Sequence, residues 1–139
     1  KNPSEPFGDP ARYPYMSVCT TGTHDTSTLR QWWEEDRGVS SEYWHRMLHE
    51  GGDAPYYCEP WLCEKIIRMH TASPAMLTIL PLQDWLSVDG DVRAQAPASE
   101  RINVPSVPKY YWRYRMHLSV EDLINNPKLN TKLKELSRR

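Results

Sequence analysis

The 139 residues are one domain's worth of material, with a formal net charge of −1 and a pI near 6.6. That balance gives no electrostatic case for nucleic acid or an anionic membrane as partner. Hydrophobic residues at 39% and charged residues at 25% are ordinary globular usage, which excludes disorder throughout. No apolar run approaches the ~20 residues of a membrane helix, and no secretion signal opens the chain.

Three cysteines, Cys19, Cys58 and Cys63, are an odd number without the spacing of a disulfide framework. They read as free thiols of a reducing, cytoplasmic compartment. Six Trp and eight Tyr against one Phe favour side chains that combine a flat apolar face with a polar handle. Such rings suit sugar stacking as well as cores. The chain opens Lys1-Asn2-Pro3-Ser4 without an initiator Met, which reads as part of a longer protein.

Residues 1–14 carry four prolines and one glycine and are expected to form an extended lead-in. Tyr15–Thr20 is a strand candidate. Thr26 or Ser27 then caps a helix to about Asp36, with Leu29, Trp32 and Trp33 as its apolar stripe and Gly38 as its stop. Ser40 or Ser41 starts a second helix with Tyr43, Trp44, Met47 and Leu48 inward, ended by Gly51-Gly52. Pro60 suits the first turn of a third helix to about Thr71, with Leu62, Ile66, Ile67 and Met69 apolar. Ala75–Leu80 is a nearly continuous apolar run, read as a parallel strand buried on both faces. Gln83–Val88 forms a helical turn.

Residues 89–109 hold three prolines and few apolar side chains, and irregular segments of that length are usually functional or disordered. Ser119-Val120-Glu121-Asp122 has the form of a capping box. Asn126-Pro127 restarts a helix whose apolar face is Leu129, Leu133 and Leu136, giving terminal helices over 119–139. Two strands and about five helices predict an α/β fold. A complete (β/α)₈ barrel needs on the order of 250 residues, so the chain is at most a portion of one.

His24-Asp25 is the leading candidate site, because it follows a strand and precedes a helix, where chemistry collects in parallel α/β folds. The competing reading is that Asp25 only caps the next helix, and local sequence leaves both open. His45 and His49 have an i, i+4 spacing that zinc sites use. With Arg46 in place of the expected Glu and no third ligand, a solvated helix face is the better reading. Cys58, Cys63 and His70 lack zinc-site spacing and read as buried thiols beside a histidine. Neither metal nor cofactor is expected. Trp32 and Trp44 read as core. Trp112, beside Tyr110, Tyr111 and Tyr114, reads as a ligand contact.

Four segments together resemble the catalytic domain of 4-α-glucanotransferases, the amylomaltase or disproportionating-enzyme family (glycoside hydrolase family 77). They are Gly22-Thr23-His24-Asp25-x-x-Thr28-Leu29-x-x-Trp32, then Ile79-Leu80-Pro81-Leu82-Gln83-Asp84-Trp85-Leu86. Arg101-Ile102-Asn103-Val104-Pro105 and Tyr111-Trp112-Arg113-Tyr114-Arg115 follow. The commonest bacterial type has Gly where Gln31 and Ser106 stand, and Asn where Tyr111 stands. Trp32-Trp33-Glu34-Glu35-Asp36 and Met69-His70-Thr71-Ala72-Ser73-Pro74-Ala75-Met76 look more like the plant cytosolic disproportionating enzyme.

The resemblance implies that residues 1–139 are the C-terminal segment of a (β/α)₈ catalytic barrel that transfers α-1,4-glucan segments by a retaining double displacement. It implies α-1,4-glucans and maltooligosaccharides as donors, and glucose or maltose as acceptors. The remainder of the same catalytic domain is the implied protein partner. Asp25 matches the family's transition-state-stabilising carboxylate and His24 its substrate-binding histidine. Asn103 and Pro105 match a substrate-side loop, and Gln83 and Asp84 are assigned to its support. The nucleophile and the acid/base belong to motifs not found in this sequence, so the chain alone is expected to be inactive. The alternative is a non-catalytic carbohydrate-binding module that stacks sugars on Trp and Tyr.

Overall fold

The computed structural model describes residues 4–138. Lys1–Pro3, the start of the expected lead-in, and Arg139, the end of the expected last helix, lie outside the described residues. A short 3₁₀ turn at Pro10–Arg12, capped by Asp9, closes the lead-in.

The strands are β1 (Val18–Cys19) and β2 (Leu77–Thr78), paired in parallel with Val18 opposite Leu77 and Cys19 opposite Thr78. Both fall inside the predicted segments and are shorter, although backbone bonds from Met76 to Tyr15 and from Ile79 to Cys19 extend the contact beyond the paired residues. Between them run α1 (Leu29–Glu35), α2 (Arg37–Arg46) and α3 (Pro60–Thr71). After β2 come α4 (Leu82–Leu86), a 3₁₀ turn at Pro97–Glu100, α5 (Val120–Ile124) and α6 (Pro127–Leu136).

The α1–α2 boundary differs from expectation. Asp36 ends α1 and at once caps α2, its carboxylate accepting from the Gly38 and Val39 amides at 2.8 and 3.1 Å. Gly38 and Ser40 therefore fall inside α2 rather than stopping or starting a helix. Beyond α2, His49 adopts φ +55°, so His45 and His49 do not share a helix face. The predicted α3, with Pro60 in its first turn, and the Ser119/Asp122 capping box are both as expected.

One core holds these elements together. Leu29, Trp33, Tyr43, Trp44, Leu62, Cys63, Ile66 and Ile67 are buried together, with Phe7 and Trp32 packed against them. Phe7, Trp32, Trp33 and Tyr43 meet edge to face, with ring centroids 5.0–6.5 Å apart. Hence Trp32 and Trp44 belong to the core. The thiols of Cys58 and Cys63 are buried 3.4 Å apart and unoxidised. Leu129 joins Leu86 and Val92 in a smaller cluster, and Leu136 reaches the main one.

The expectation that Ala75–Leu80 is buried on both faces is corrected. Cys19 faces the helices and is fully buried, but Val18, Leu77 and Ile79 on the opposite face are 50%, 45% and 58% exposed. Helices cover only one side of this two-stranded sheet. Among the described residues no helix is long and apolar enough to cross a membrane.

His70, near the end of α3, bonds the Ile66 carbonyl through Nδ1 at 2.8 Å, and burial pushes its pKa below the usual 6.5. A depressed folded-state pKa means that the unfolded chain binds the proton more readily. The stability contributed by neutral His70 is thus complete above about pH 6.5 and is lost as pH falls toward the lower folded value. The melting temperature of His70→Gln is expected to fall less than wild type between pH 7 and 5. Parallel curves would rule out this contribution.

Candidate functional site

The site is built at the C-terminal ends of the strands, where the chain leaves β1 for α1. Gly22 opens the turn because there is no room for a side chain. A Cβ there would come within 2.5 Å of Thr26 Oγ1, which is held by the Thr23 amide and carbonyl. Thr28, not Thr26 or Ser27, caps α1 by accepting from the Gln31 amide. The helix-capping reading of Asp25 therefore falls, and its carboxylate turns elsewhere.

Asp25 Oδ1 accepts a 2.7 Å hydrogen bond from Asn103 Nδ2, seventy-eight positions along the chain. His24 Nε2 stands 3.4 Å from the same oxygen, and the His24 carbonyl accepts from the Asn103 amide at 3.2 Å. The Trp112 ring lies 5.3 Å from the His24 ring and is 62% exposed. The expected residues His24, Asp25, Asn103 and Trp112 thus form one group, open to solvent. Pro105 is exposed in the next turn, closed by the Val107 amide donating to the Val104 carbonyl. Its link to the group is its position two residues after Asn103.

Two further layers hold this group, and composition alone does not suggest them. At the surface, the Arg101 guanidinium donates from Nε to the Asn103 carbonyl at 2.7 Å and from Nη1 to Ser27 Oγ. Its Nη2 reaches toward the Asp25 carbonyl at 3.5 Å, and Glu35 stands 3.8 Å away. Beneath, Glu100 is buried against Arg30 at 2.9 Å and accepts from Thr28 Oγ1 at 3.0 Å. Gln83 Nε2 donates to the Glu100 carbonyl at 3.1 Å. Asp84 accepts from Thr21 Oγ1 and from the Leu29 amide, the latter at 2.9 Å. Gln83 therefore braces the turn that leads to Asn103, whereas Asp84 braces the β1–α1 connection rather than the Asn103 loop to which it was assigned.

Burial pushes the Asp84 carboxyl above the usual range, against the bonds from Thr21 and Leu29 that favour its anion. Burial also raises Glu100, opposed by Arg30 and Thr28. A carboxylate at the start of α1 also meets the positive end of the helix dipole. A cavity of about 430 Å³ opens beside the loop, lined by Thr21, Ser27, Trp32, His70 and Arg101 among others. His24, Asp25 and Asn103 do not line it, although Ser27 and Arg101, which hold the group, do. Among the described residues no three of His, Cys, Asp and Glu gather in a metal-binding arrangement.

A half-exposed carboxylate fixed by an amide, beside an imidazole and an indole face, is equipped to grip hydroxyls and to stabilise nearby positive charge. The family model described as 4-alpha-glucanotransferase matches residues 1–120. The chain belongs to the 4-α-glucanotransferase family.

Among relatives, the rice (Oryza sativa subsp. japonica) 4-alpha-glucanotransferase DPE2 is 39% identical over 137 residues, covering 96% of this chain and 14% of that protein. The 4-alpha-glucanotransferase of Chlamydia trachomatis is 31% identical over 128 residues, covering 90% of this chain and 23% of that protein. Among solved structures, an amylomaltase from Streptococcus agalactiae in complex with acarbose superposes with a TM-score of 0.64 at 24% identity. That match covers 92% of this chain and 22% of the amylomaltase, and it speaks for the fold. This glucanotransferase segment thus spans about a seventh to a quarter of the relatives it matches. The stand-alone carbohydrate-binding module is not favoured, since the match is to an enzyme family and Trp33 and Trp44 are committed to the core.

Proposed function

We propose that this chain is the C-terminal segment of a (β/α)₈ catalytic domain that transfers α-1,4-glucan segments to sugar acceptors with retention of configuration. The observation that carries the reading is the Asn103–Asp25 hydrogen bond at the strand ends, which unites two motifs of the family in one polar group. The parallel β1–β2 pair, with helices on one face and Val18, Leu77 and Ile79 bare on the other, suits two neighbouring strands of a barrel. In this reading the bare face packs against the remainder of the domain.

The proposed mechanism runs through an oxocarbenium-like transition state, flanked by a nucleophile and an acid/base outside this chain. Asp25 supplies negative charge to that state and holds ring hydroxyls. His24 and Asn103 donate to hydroxyls, Pro105 shapes the loop, and Trp112 offers an apolar face to a sugar ring. A sugar hydroxyl replaces water as the second acceptor, so segments are exchanged rather than hydrolysed. The substrates are α-1,4-glucans and maltooligosaccharides, with glucose or maltose as acceptors, in the cytoplasm.

The complete protein incubated with maltotriose is expected to yield glucose and longer maltooligosaccharides while total reducing ends stay constant. The newly formed linkages between glucose units, read by proton NMR, should carry the α configuration. A steady rise in reducing ends without longer products would replace transfer by hydrolysis. No change in maltotriose would remove the activity itself.

A further inference from the structure

The bond from Asn103 to Asp25 joins two half-exposed side chains on separate loops, and such a bond is weak in water unless both backbones are fixed. Besides the Asn103 amide bond to the His24 carbonyl, one side chain, Arg101, meets both backbones. The Arg101 guanidinium is a rigid planar fork. Its Nε donates to the Asn103 carbonyl at 2.7 Å, and its Nη1 donates to Ser27 Oγ. Its Nη2 reaches the Asp25 carbonyl at 3.5 Å. Ser27 Oγ in turn donates to Glu35 at 2.6 Å, and Glu35 faces the guanidinium at 3.8 Å as its counter-charge.

The Arg101 side chain is only 15% exposed, so its donors are committed to these acceptors rather than to water. It bonds neither the Asp25 carboxylate, which meets Asn103 and His24, nor the His24 ring, which meets Asp25 and Trp112.

We propose that Arg101 is a positioning residue of the glucan site: by holding the Asn103 and Asp25 backbones together it fixes the direction of the Asn103 amide on the Asp25 carboxylate. This rests on the reading of Asp25 as a transition-state carboxylate. A role as a simple fold staple is already filled beneath it. Arg30, Thr28, Gln83 and Asp84 secure the same stretch of α1 and the Glu100 turn from the buried side. The fold therefore tolerates loss of Arg101, and the site geometry does not. Lysine cannot replace it, because an ammonium is a point donor that cannot reach several carbonyls as a planar fork does.

Arg101→Lys, Arg101→Ala, Asn103→Ala and the Arg101→Ala/Asn103→Ala pair, all made in the complete protein, test this through maltotriose disproportionation and melting temperature. A contact misplaced by about an ångström costs on the order of a hundredfold, so Arg101→Lys should lower kcat roughly tenfold to a hundredfold. KM should change by less than about threefold, because the lost contact matters in the transition state. The melting temperature should stay near wild type. Since Arg101 acts through Asn103, the double variant should be no slower than the slower single variant.

Multiplicative losses in the double variant would overturn the inference, as would wild-type kcat in Arg101→Lys. A fall in melting temperature that accounts for the lost activity would also overturn it, leaving Arg101 structural. Asp25→Asn in the same assay separates the two levels. An active Asp25→Asn enzyme defeats the reading of Asp25, and this inference with it. An inactive one alongside multiplicative losses defeats the inference alone.

Discussion

Asp25→Asn in the complete protein is expected to lower kcat at least about a thousandfold, which is ~4 kcal/mol of transition-state stabilisation. The substitution preserves shape. Asn keeps an Oδ1 that can accept from Asn103 Nδ2, so the 2.7 Å contact and the loop it closes should survive. The cap of α1 is Thr28, so no helix is uncapped. In the proposed mechanism, what disappears is the negative charge facing a sugar ring that becomes cationic as the glycosidic bond breaks. That interaction is stronger in the transition state than in the ground state, so the loss should appear in kcat rather than KM. The measurement is initial-rate disproportionation of maltotriose, with the variant's melting curve overlaid on wild type. A kcat within about tenfold of wild type would remove the transition-state role.

The parts of this molecule legible in the sequence are those whose signal is local. Helix α3 declares itself through Pro60 and the spacing of Leu62, Ile66 and Ile67, and α5 through Ser119 and Asp122. The spacing ends α1 at about Asp36, where it does end, but places the start of α2 at Ser40 or Ser41, because Gly38 looks like a stop. Asp36, two residues earlier, serves both helices, a role that composition does not announce. The apolar residues of the second strand suggest burial on both faces. Burial depends on what lies opposite, and here helices cover only the Cys19 side.

The site divides in the same way. His24 and Asp25 stand out by their place between a strand and a helix, Trp112 by its aromatic neighbours and Asn103 through the family resemblance, and the contacts that join Asn103 and Trp112 to the pair span intervals that no local period reports. The buried pair beneath them was missed because charged residues are usually placed at the surface. A signal did exist. Arg30 lies three residues before Trp33 and beside Leu29, so helical spacing sets it on the buried stripe of α1. A charged residue on such a stripe calls for a partner, and Glu100 is that partner at 2.9 Å.

Removing that partner should have the largest stability effect in the chain. Arg30 and Glu100 side chains are 5% and 3% exposed, and Arg30 also donates to the Ala94 carbonyl at 2.7 Å. Breaking a buried pair from one side leaves an uncompensated charge and costs about 3–5 kcal/mol, well beyond the worth of an exposed ion pair. Glu100→Ala is expected to destabilise by that amount, seen as a lower urea midpoint for the transition that includes this segment. Glu100→Gln fills the volume and can still accept from Thr28, so it should fall between Ala and wild type. Arg30→Met combined with Glu100→Leu removes both charges together and should recover much of the loss, because a buried ion pair is often no more stable than apolar side chains of similar volume. Recovery in the double variant would identify the unpaired charge as the cause. A Glu100→Ala midpoint equal to wild type would show that the Gln83 bond to the Glu100 carbonyl holds the loop unaided. The consequence reaches the site, since Glu100 adjoins Arg101 in sequence: a loop loosened at Glu100 delivers Asn103 to Asp25 less often, so Glu100→Gln should lose activity at temperatures below its own unfolding transition.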